Sequence, residues 1–257
     1  MERRELTLKV VSPALFTVAL FVLWESACRL LKLPLAILPA PSDVFEALWQ
    51  YRVPIWDNSF VTLWTTLAGF AMATVFGMLL GIAIGWHRNI YDGIYPVLVG
   101  FNSVPKVAVV PVLILWFGLG EIPAIITAFL ISFFPIVVNV ATGLATTSPE
   151  LEDVLRALGA SKLDIMKKVG IPGSLPYFFG SLKVAITLAF VGAVVSETVG
   201  ANKGIGKLML DAQAAFQVPI VFAALIVLAV MGILLYAVTA FVESYFTGWA
   251  FRGQANR

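Results

Sequence analysis

Charged residues are scarce in this chain. Only 12% of its 257 residues are charged, whereas 60% are hydrophobic, and the mean hydropathy is +0.94. Soluble domains carry about a quarter charged residues. A single soluble core of this size cannot bury so much apolar surface, so the composition excludes a soluble or a disordered chain. It predicts a polytopic, all-α membrane protein with a single transmembrane domain over residues 1–257.

Cysteine and histidine are almost missing. Cys28 and His87 are the single representatives of their types, which excludes an intramolecular disulfide, a cysteine metal cage and most histidine-based sites. The net charge of +2 predicts no attraction to nucleic acid. The chain also lacks a Walker A loop of the GxxxxGK[ST] type. We therefore expect no cofactor, no metal and no ATP hydrolysis by this chain.

Six apolar windows have the length of about 20 residues that a membrane-spanning helix needs. Pro105 and Pro111 interrupt the third window and are expected to kink it. The first window is interpreted as a retained helix, because no clear small-x-small cleavage site closes it. Glu25 and Arg29 within it have i,i+4 spacing and are expected to pair. The predicted spans are Val11–Leu31, Val61–Trp86, Ile94–Gly118, Ile122–Ala145, Tyr177–Val199 and Pro219–Val242.

The distribution of lysine and arginine predicts that both termini are cytoplasmic, because cytoplasmic loops carry an excess of these residues. With that orientation the cytoplasmic side holds Arg3, Arg4, Lys9, Arg88, Arg156, Lys162, Lys167, Lys168, Arg252 and Arg257, and the outer side holds Lys32, Arg52, Lys203 and Lys207, with Arg29 close by.

Two further patterns concern packing. The outer segment 32–59 is expected to form a short interfacial helix that Ser42 caps and Trp49 anchors. Gly77, Gly81 and Gly85 form overlapping GxxxG patterns, which allow another helix to approach closely.

The charged segment 147–172 predicts two short helices joined by a turn. Ser148 and Pro149 favour a helix start, and Gly159 is expected to end that helix. Ser161 begins a second helix with a capping-box pattern, which Gly170 and Pro172 are expected to terminate. The first helix has an apolar stripe at i, i+3, i+4 and i+7, formed by Leu151, Val154, Leu155 and Leu158. This face predicts either docking to another protein or packing on the membrane surface and the chain's own helix ends.

The same segment resembles the permease subunits of bacterial ABC importers. Their hallmark is a cytoplasmic Glu-Ala-Ala motif, with a glycine six residues after the Glu and a proline thirteen beyond that glycine. Asp153-Val154-Leu155, Gly159 and Pro172 match this spacing, although Asp replaces Glu and larger residues replace both alanines. The resemblance implies a type I importer permease fold, whose coupling helix sits in a cleft of the ATP-hydrolysing subunit. The implied coupling residues are Asp153, Val154, Leu155, Leu158, Gly159, Ala160 and Pro172.

Three other stretches, Leu38–Ser42, Pro105–Gly120 and Ser196–Gly206, resemble the nitrate/sulfonate/taurine importer permeases. This resemblance implies a homodimer in the bacterial inner membrane, two ATPase subunits and an extracytoplasmic substrate-binding protein. The implied solute is small and anionic. That group also includes transporters of thiamine pyrimidine precursors and riboflavin-like compounds, so a heterocycle is the alternative.

Polar residues within the predicted spans are candidates for the translocation path. Lys106 either attracts an anionic solute or extends its ammonium to the headgroups. Asn102 and Ser103 precede it by about one turn, and Asn139 either donates to solute or bonds between helices. The candidates for an outer gate or a contact with the binding protein are Glu197, Gly200 and Gly204, Glu197 being otherwise a solvated helix-end carboxylate.

Two other function classes fit the sequence less well. An autonomous carrier usually has inverted repeats or intramembrane ionisable pairs, and neither is clear in this chain. An intramembrane serine enzyme would have to use His87, which lies at a predicted membrane edge without a serine nucleophile motif.

Overall fold

The computed structural model describes residues 2–86, 88–146 and 149–251, and these residues contain no β-strand. His87, Ser148, Arg252 and Arg257, on which parts of the predictions above rest, lie outside the described residues. The helices are α1 (Glu2–Leu30), α2 (Pro41–Gln50), α3 (Arg52–Gly85), α4 (Arg88–Ser103), α5 (Val110–Phe117), α6 (Glu121–Ala145), α7 (Pro149–Ala157), α8 (Lys162–Ile165), α9 (Ile171–Gly200), α10 (Ile205–Ala214) and α11 (Val218–Phe251).

Within the described part of the chain, four helices are long and apolar enough to cross a membrane. They are Arg52–Gly85, Glu121–Ala145, Lys162–Gly200 and Val218–Gly248. The bent pair Asn89–Ser103 and Lys106–Phe117 meets the same criteria when its two helices are taken together, which gives up to five spans. Helix α1 occupies the first predicted window, although its side chains are described only from Leu15 onward. The all-helical membrane fold that the composition predicts is thus confirmed.

The two prolines of the third span have different effects. The two halves meet at 69° beside Pro105, so the predicted break there is confirmed. The kink predicted at Pro111 is wrong. Pro111 lies in the first turn of α5, after a 3₁₀ turn over Lys106–Val109. A proline is accommodated in a first helical turn because no intrahelical acceptor awaits its missing N–H.

The predicted end of the second loop helix at Gly170 and Pro172 is also wrong. A π-helical turn over Met166–Gly170 joins α8 to α9, and the helix runs from Lys162 to Gly200. The Ile171 N–H donates to the Met166 carbonyl, five residues back. This change of hydrogen-bond register places Pro172 in the first turn of α9, where its missing donor costs little.

The core of the molecule is formed by α3, α6 and α9. Glycines along α3 bring its backbone against α6, as their spacing predicts. A Cβ atom built at Gly81 would lie 2.7 Å from the Cβ of Val140, and one at Gly77 would lie 2.9 Å from the Cβ of Ile136. Gly85 meets Leu144 in the same way. Small residues allow this close packing, which drives helix association where lipid removes the hydrophobic effect.

The outer segment 32–59 forms the predicted short helix, α2, but with a different cap. Ala40 is the N-cap residue, and its N–H donates to the carboxylate of Asp43 at 3.2 Å. Ser42 therefore does not cap the helix, because it already lies inside the first turn. Its hydroxyl instead donates to Glu25 at 2.8 Å. The predicted pair of Glu25 and Arg29 is confirmed at 3.0 Å, and together these contacts tie the end of α1 to α2.

Candidate functional site

Helix α7 ends in a Schellman motif. Gly159 has φ +83°, a left-handed conformation that glycine adopts without a steric penalty. The Ala160 N–H donates to the carbonyl of Leu155 at 3.0 Å, and the Gly159 N–H donates to the carbonyl of Arg156 at 2.9 Å. These two bonds satisfy carbonyls at the helix end that otherwise lack partners. The predicted glycine stop is confirmed, and the direction of α7 relative to the next helix is well defined.

The apolar stripe of α7 lies on the surface of the single chain. The side chains of Leu158 and Val154 are 78% and 56% exposed, Leu151 is also exposed, and Leu155 is half-buried. The charged Asp153 is exposed on the same helix. An amphipathic helix normally buries its apolar face, so this face is available to a partner.

A capping box begins the helix that follows. The Ser161 hydroxyl accepts from the Asp164 N–H at 3.2 Å, and the Asp164 carboxylate accepts from the Ser161 N–H at 3.2 Å. The capping pattern predicted from the sequence is thereby confirmed.

A cavity of about 260 Å³ lies between the two short helices, lined by Leu155, Leu158, Gly159, Ala160, Asp164, Ile165 and Lys168.

Lys106 and Asn102 come together at the break of the bent span. The Lys106 ammonium donates to the Asn102 backbone carbonyl at 2.9 Å and to the Asn102 side-chain oxygen at 2.7 Å. Asn102 lies in the last turn of α4, where backbone carbonyls have no intrahelical partner and a cation is favoured. The lysine therefore caps α4, and it is half-buried at the break.

The other two candidates for the path form bonds within their own helices. The Ser103 hydroxyl donates to the Val99 carbonyl at 3.0 Å. The Asn139 amide donates to the Pro135 carbonyl at 2.8 Å, inside α6. The described contacts thus give Asn139 no interhelical bond, and its contact with a solute stays a prediction.

Glu197 is buried, with only 1% of its surface exposed. The prediction of direct contact with a binding protein is therefore wrong for this side chain, and so is the alternative of a solvated helix end. Its carboxylate accepts from the Thr62 hydroxyl at 2.9 Å and from the Gly206 N–H at 3.0 Å. Gly204 lies directly against the carboxylate, whereas Gly200 packs against Ile114 of α5. The loop after α9 folds back onto Glu197, which is why the side chain leaves the surface.

A family profile described as the inner membrane component of binding-protein-dependent transport systems matches residues 73–247. The chain belongs to this family. It is 32% identical over 248 residues to the formylaminopyrimidine transport permease protein ThiX of Halalkalibacterium halodurans, covering 94% of this chain and 96% of the relative. It is 29% identical to the nitrate import permease protein NrtB of Synechocystis, covering 92% and 89%.

The fold has a solved counterpart. A chain from an inward-facing structure of the MetNI methionine ABC transporter matches with a TM-score of 0.64 at 19% identity, covering 78% of this chain and 97% of the other. The protein is thus a multi-pass permease subunit of an ABC importer with the type I fold. Such an importer works with an ABC ATPase and a substrate-binding protein.

Two polar clusters of the permease are absent from the sequence-based candidates. Asn58 and Thr62 lie one turn apart on α3 and reach the loop after α9. Lys183 of α9 and Glu243 of α11 form an ion pair between two spans. A charge within an apolar run is a signal for an intramembrane partner, so Lys183 and Glu243 were detectable from the sequence.

Among the described residues no group of three or more His, Cys, Asp or Glu is placed to hold a metal ion.

Proposed function

We propose that the permease works as a homodimer with two ATPase subunits and forms the path for a small anionic solute, delivered by an extracytoplasmic binding protein. Two copies supply two coupling loops, one for each ATPase. We further propose that this chain is non-catalytic, that ATP is hydrolysed by the separate subunit, and that both termini are cytoplasmic in a bacterial inner membrane.

Segment 147–172 is the proposed coupling loop. The observation that supports it is the exposed apolar face of α7, presented by a helix whose end is held by the Schellman motif. The last residues of this loop, from Lys162 onward, form the start of the helix Lys162–Gly200. A displacement of α7 is therefore expected to move this span. The residues proposed to shape the loop are Asp153, Val154, Leu155, Leu158, Gly159, Ala160 and Pro172.

The solute class is proposed from Lys106. It is a half-buried cation at the break of a span, where a charge is costly unless it is hydrated or paired. Asn102, Ser103 and Asn139 are proposed to line the same path, and Gly200 and Gly204 to shape its outer gate. The nitrate permease among the relatives supports an anion. The formylaminopyrimidine permease, which is slightly more similar, favours a neutral heterocycle as the second candidate.

Copurification with the ATPase subunit tests the coupling loop. Leu158→Lys and Val154→Lys each place a charge on the exposed face of α7. Because both side chains are exposed in the single chain, we expect the permease to fold normally. We expect each variant to reduce recovery of the ATPase on the tagged permease at least about tenfold, since a buried unpaired charge opposes docking.

Ala157→Lys is the matched control, because Ala157 is exposed on α7 away from the stripe. It should retain the ATPase at the level of the unmodified permease. Full recovery of the ATPase with Leu158→Lys and Val154→Lys would contradict the assignment of the loop.

A further inference from the structure

The N-terminus of α10 is held entirely by side chains of other helices. The Gly204 N–H donates to the Asn58 side-chain oxygen at 2.8 Å. The Ile205 N–H donates to the Thr62 hydroxyl at 2.9 Å, and the Gly206 N–H donates to the Glu197 carboxylate at 3.0 Å. The first N–H groups of a helix have no intrahelical acceptor and must find other partners. Here α3 supplies two of these partners and α9 supplies the third.

The Thr62 hydroxyl connects two of these bonds. It accepts from the Ile205 N–H and donates to Oε2 of Glu197. The same Oε2 accepts from Gly206, whereas Oε1 is buried without a hydrogen-bond partner. None of the described lysines and arginines forms an ion pair with Glu197. The N-terminus of α10, which is the positive end of the helix dipole, lies directly against this carboxylate and donates the Gly206 N–H to it.

Glycine is required for this close approach. Gly204 has φ +117°, and a Cβ atom built there would lie 2.3 Å from the carboxyl carbon of Glu197. A Cβ atom at Gly206 would lie 2.5 Å from the Val194 carbonyl oxygen. The Gly-Ile-Gly sequence at the start of α10 is thus matched to Glu197, since any larger residue would push the helix end away from its acceptor.

We propose that Glu197 is a built-in anion that caps α10 and holds it against α3 and α9, so that it is a positioning residue of the transport cycle. Because Glu197 and the end of the proposed coupling loop belong to the same 39-residue helix, Lys162–Gly200, α10 moves together with that loop. This consequence for transport rests on the function proposed above. The capping itself does not, and it is tested on the isolated permease.

Hydrogen exchange in the purified full-length permease, reconstituted in lipid nanodiscs, measures the cap directly. Thr62→Val preserves the β-branched shape and removes the hydroxyl, whereas Thr62→Ser keeps the hydroxyl. We expect Thr62→Val to accelerate amide exchange at Ile205 and Gly206 about tenfold, as loss of a charge-assisted hydrogen bond implies. Thr62→Ser should exchange at close to the unmodified rate.

The matched control is Thr66→Val. Thr66 is equally buried one turn further along α3, but its hydroxyl donates only within the helix, to the Thr62 carbonyl. It should leave exchange at Ile205 and Gly206 unchanged. Equal effects of Thr62→Val and Thr66→Val would overturn the proposal, because they would indicate a general loosening of α3.

Glu197→Gln tests the charge. The amide retains a carbonyl oxygen that can accept from Thr62 and Gly206, but it is neutral and adds a buried donor. We expect exchange at Gly206 to accelerate about tenfold. Exchange at the unmodified rate would refute an anionic cap. If Glu197→Gln does not fold, unchanged exchange in Thr62→Val would still overturn the proposal, because Thr62 links Glu197 to the start of α10. Neither readout depends on ATPase binding, so these results are independent of the copurification above.

Discussion

At the scale of single residues, Lys106 has one observed role, capping α4, and one proposed role, attracting an anionic solute. Its ammonium donates to two oxygens of Asn102 at the end of α4, and the side chain is half-buried at the break of the span. An ammonium has three donors, so a donor remains for a solute after two bonds to Asn102. The capping role alone needs only a hydrogen-bond donor, whereas attraction of an anion also needs the charge.

Substitution of Lys106 separates these tasks. If the solute is an anion, we expect Lys106→Gln to lower the rate of uptake about tenfold at subsaturating solute, because the amide can still bond to Asn102 but carries no charge. Lys106→Arg keeps the charge and should retain most of the activity. The measurement is ATP-driven uptake into proteoliposomes that contain the permease, its ATPase and its binding protein, with nitrate and a formylaminopyrimidine as the two test solutes.

Uptake of the heterocycle at an equal rate by Lys106→Gln and the unmodified permease would favour the second candidate solute. Equal uptake of nitrate by these two proteins would instead remove Lys106 from the proposed path.

At the scale of elements, α11 is joined to α9 by a single described ion pair. Lys183 and Glu243 are 28% and 16% exposed, respectively, and they lie within the helices Lys162–Gly200 and Val218–Gly248. A polar pair between spans is strengthened by its apolar surroundings, and loss of one partner leaves the other charge uncompensated. The pair therefore contributes to the position of α11 against α9.

Single and double substitutions measure this pair. We expect Lys183→Met to lower the free energy of unfolding by about 2 kcal/mol, between the values for exposed and fully buried pairs. The double variant Lys183→Met with Glu243→Gln should recover part of that loss, because no unpaired charge remains. Thermal unfolding of the purified permease in detergent gives the values. Additive losses in the double variant would disprove the coupling.

The exposed pair Lys207 and Asp211 on α10 supplies a control for the ion-pair measurement. Asp211→Asn should change the free energy of unfolding by less than about 1 kcal/mol, since solvent screens exposed ion pairs.

At the scale of the whole molecule, the orientation of the chain determines which partner meets which surface. The charge distribution predicts that α7 faces the cytoplasm and that the loop before α10 faces outward.

Cys28 is the single cysteine, and it is buried, with Sγ 3.7 Å from the Leu38 carbonyl oxygen. The permease is therefore well suited to labelling at introduced cysteines.

Labelling with a membrane-impermeant maleimide tests this orientation. In a Cys28→Ala background, Lys203→Cys should react in intact spheroplasts, and Leu158→Cys should react only in inside-out vesicles. Both positions are exposed, so accessibility within the protein does not limit the reaction. The reverse pattern would invert the topology and place the coupling loop on the wrong side for an ATPase.

Much of the fold could be predicted because it depends on local physical chemistry. Apolar length indicates spans, Gly159 ends α7 by its left-handed conformation, and Ser161 and Asp164 form their capping box within four residues. Three failures within helices share one cause. A kink was expected at Pro111, a helix end at Pro172 and an N-cap at Ser42. All three residues instead lie in the first turn of a helix, because the helix begins at a different residue from the one that the local pattern indicates.

The sequence by itself determined the membrane class, the family and the amphipathic helix α7, because composition, spacing and caps act over a few turns of helix. Only the tertiary structure decided the surroundings of Glu197, which lies 135 residues from Thr62 in the chain but bonds to it directly. A carboxylate at the end of an apolar span looks solvated in sequence. It becomes a buried cap because the folded chain brings glycines and a helix N-terminus to it, and no local pattern encodes that contact.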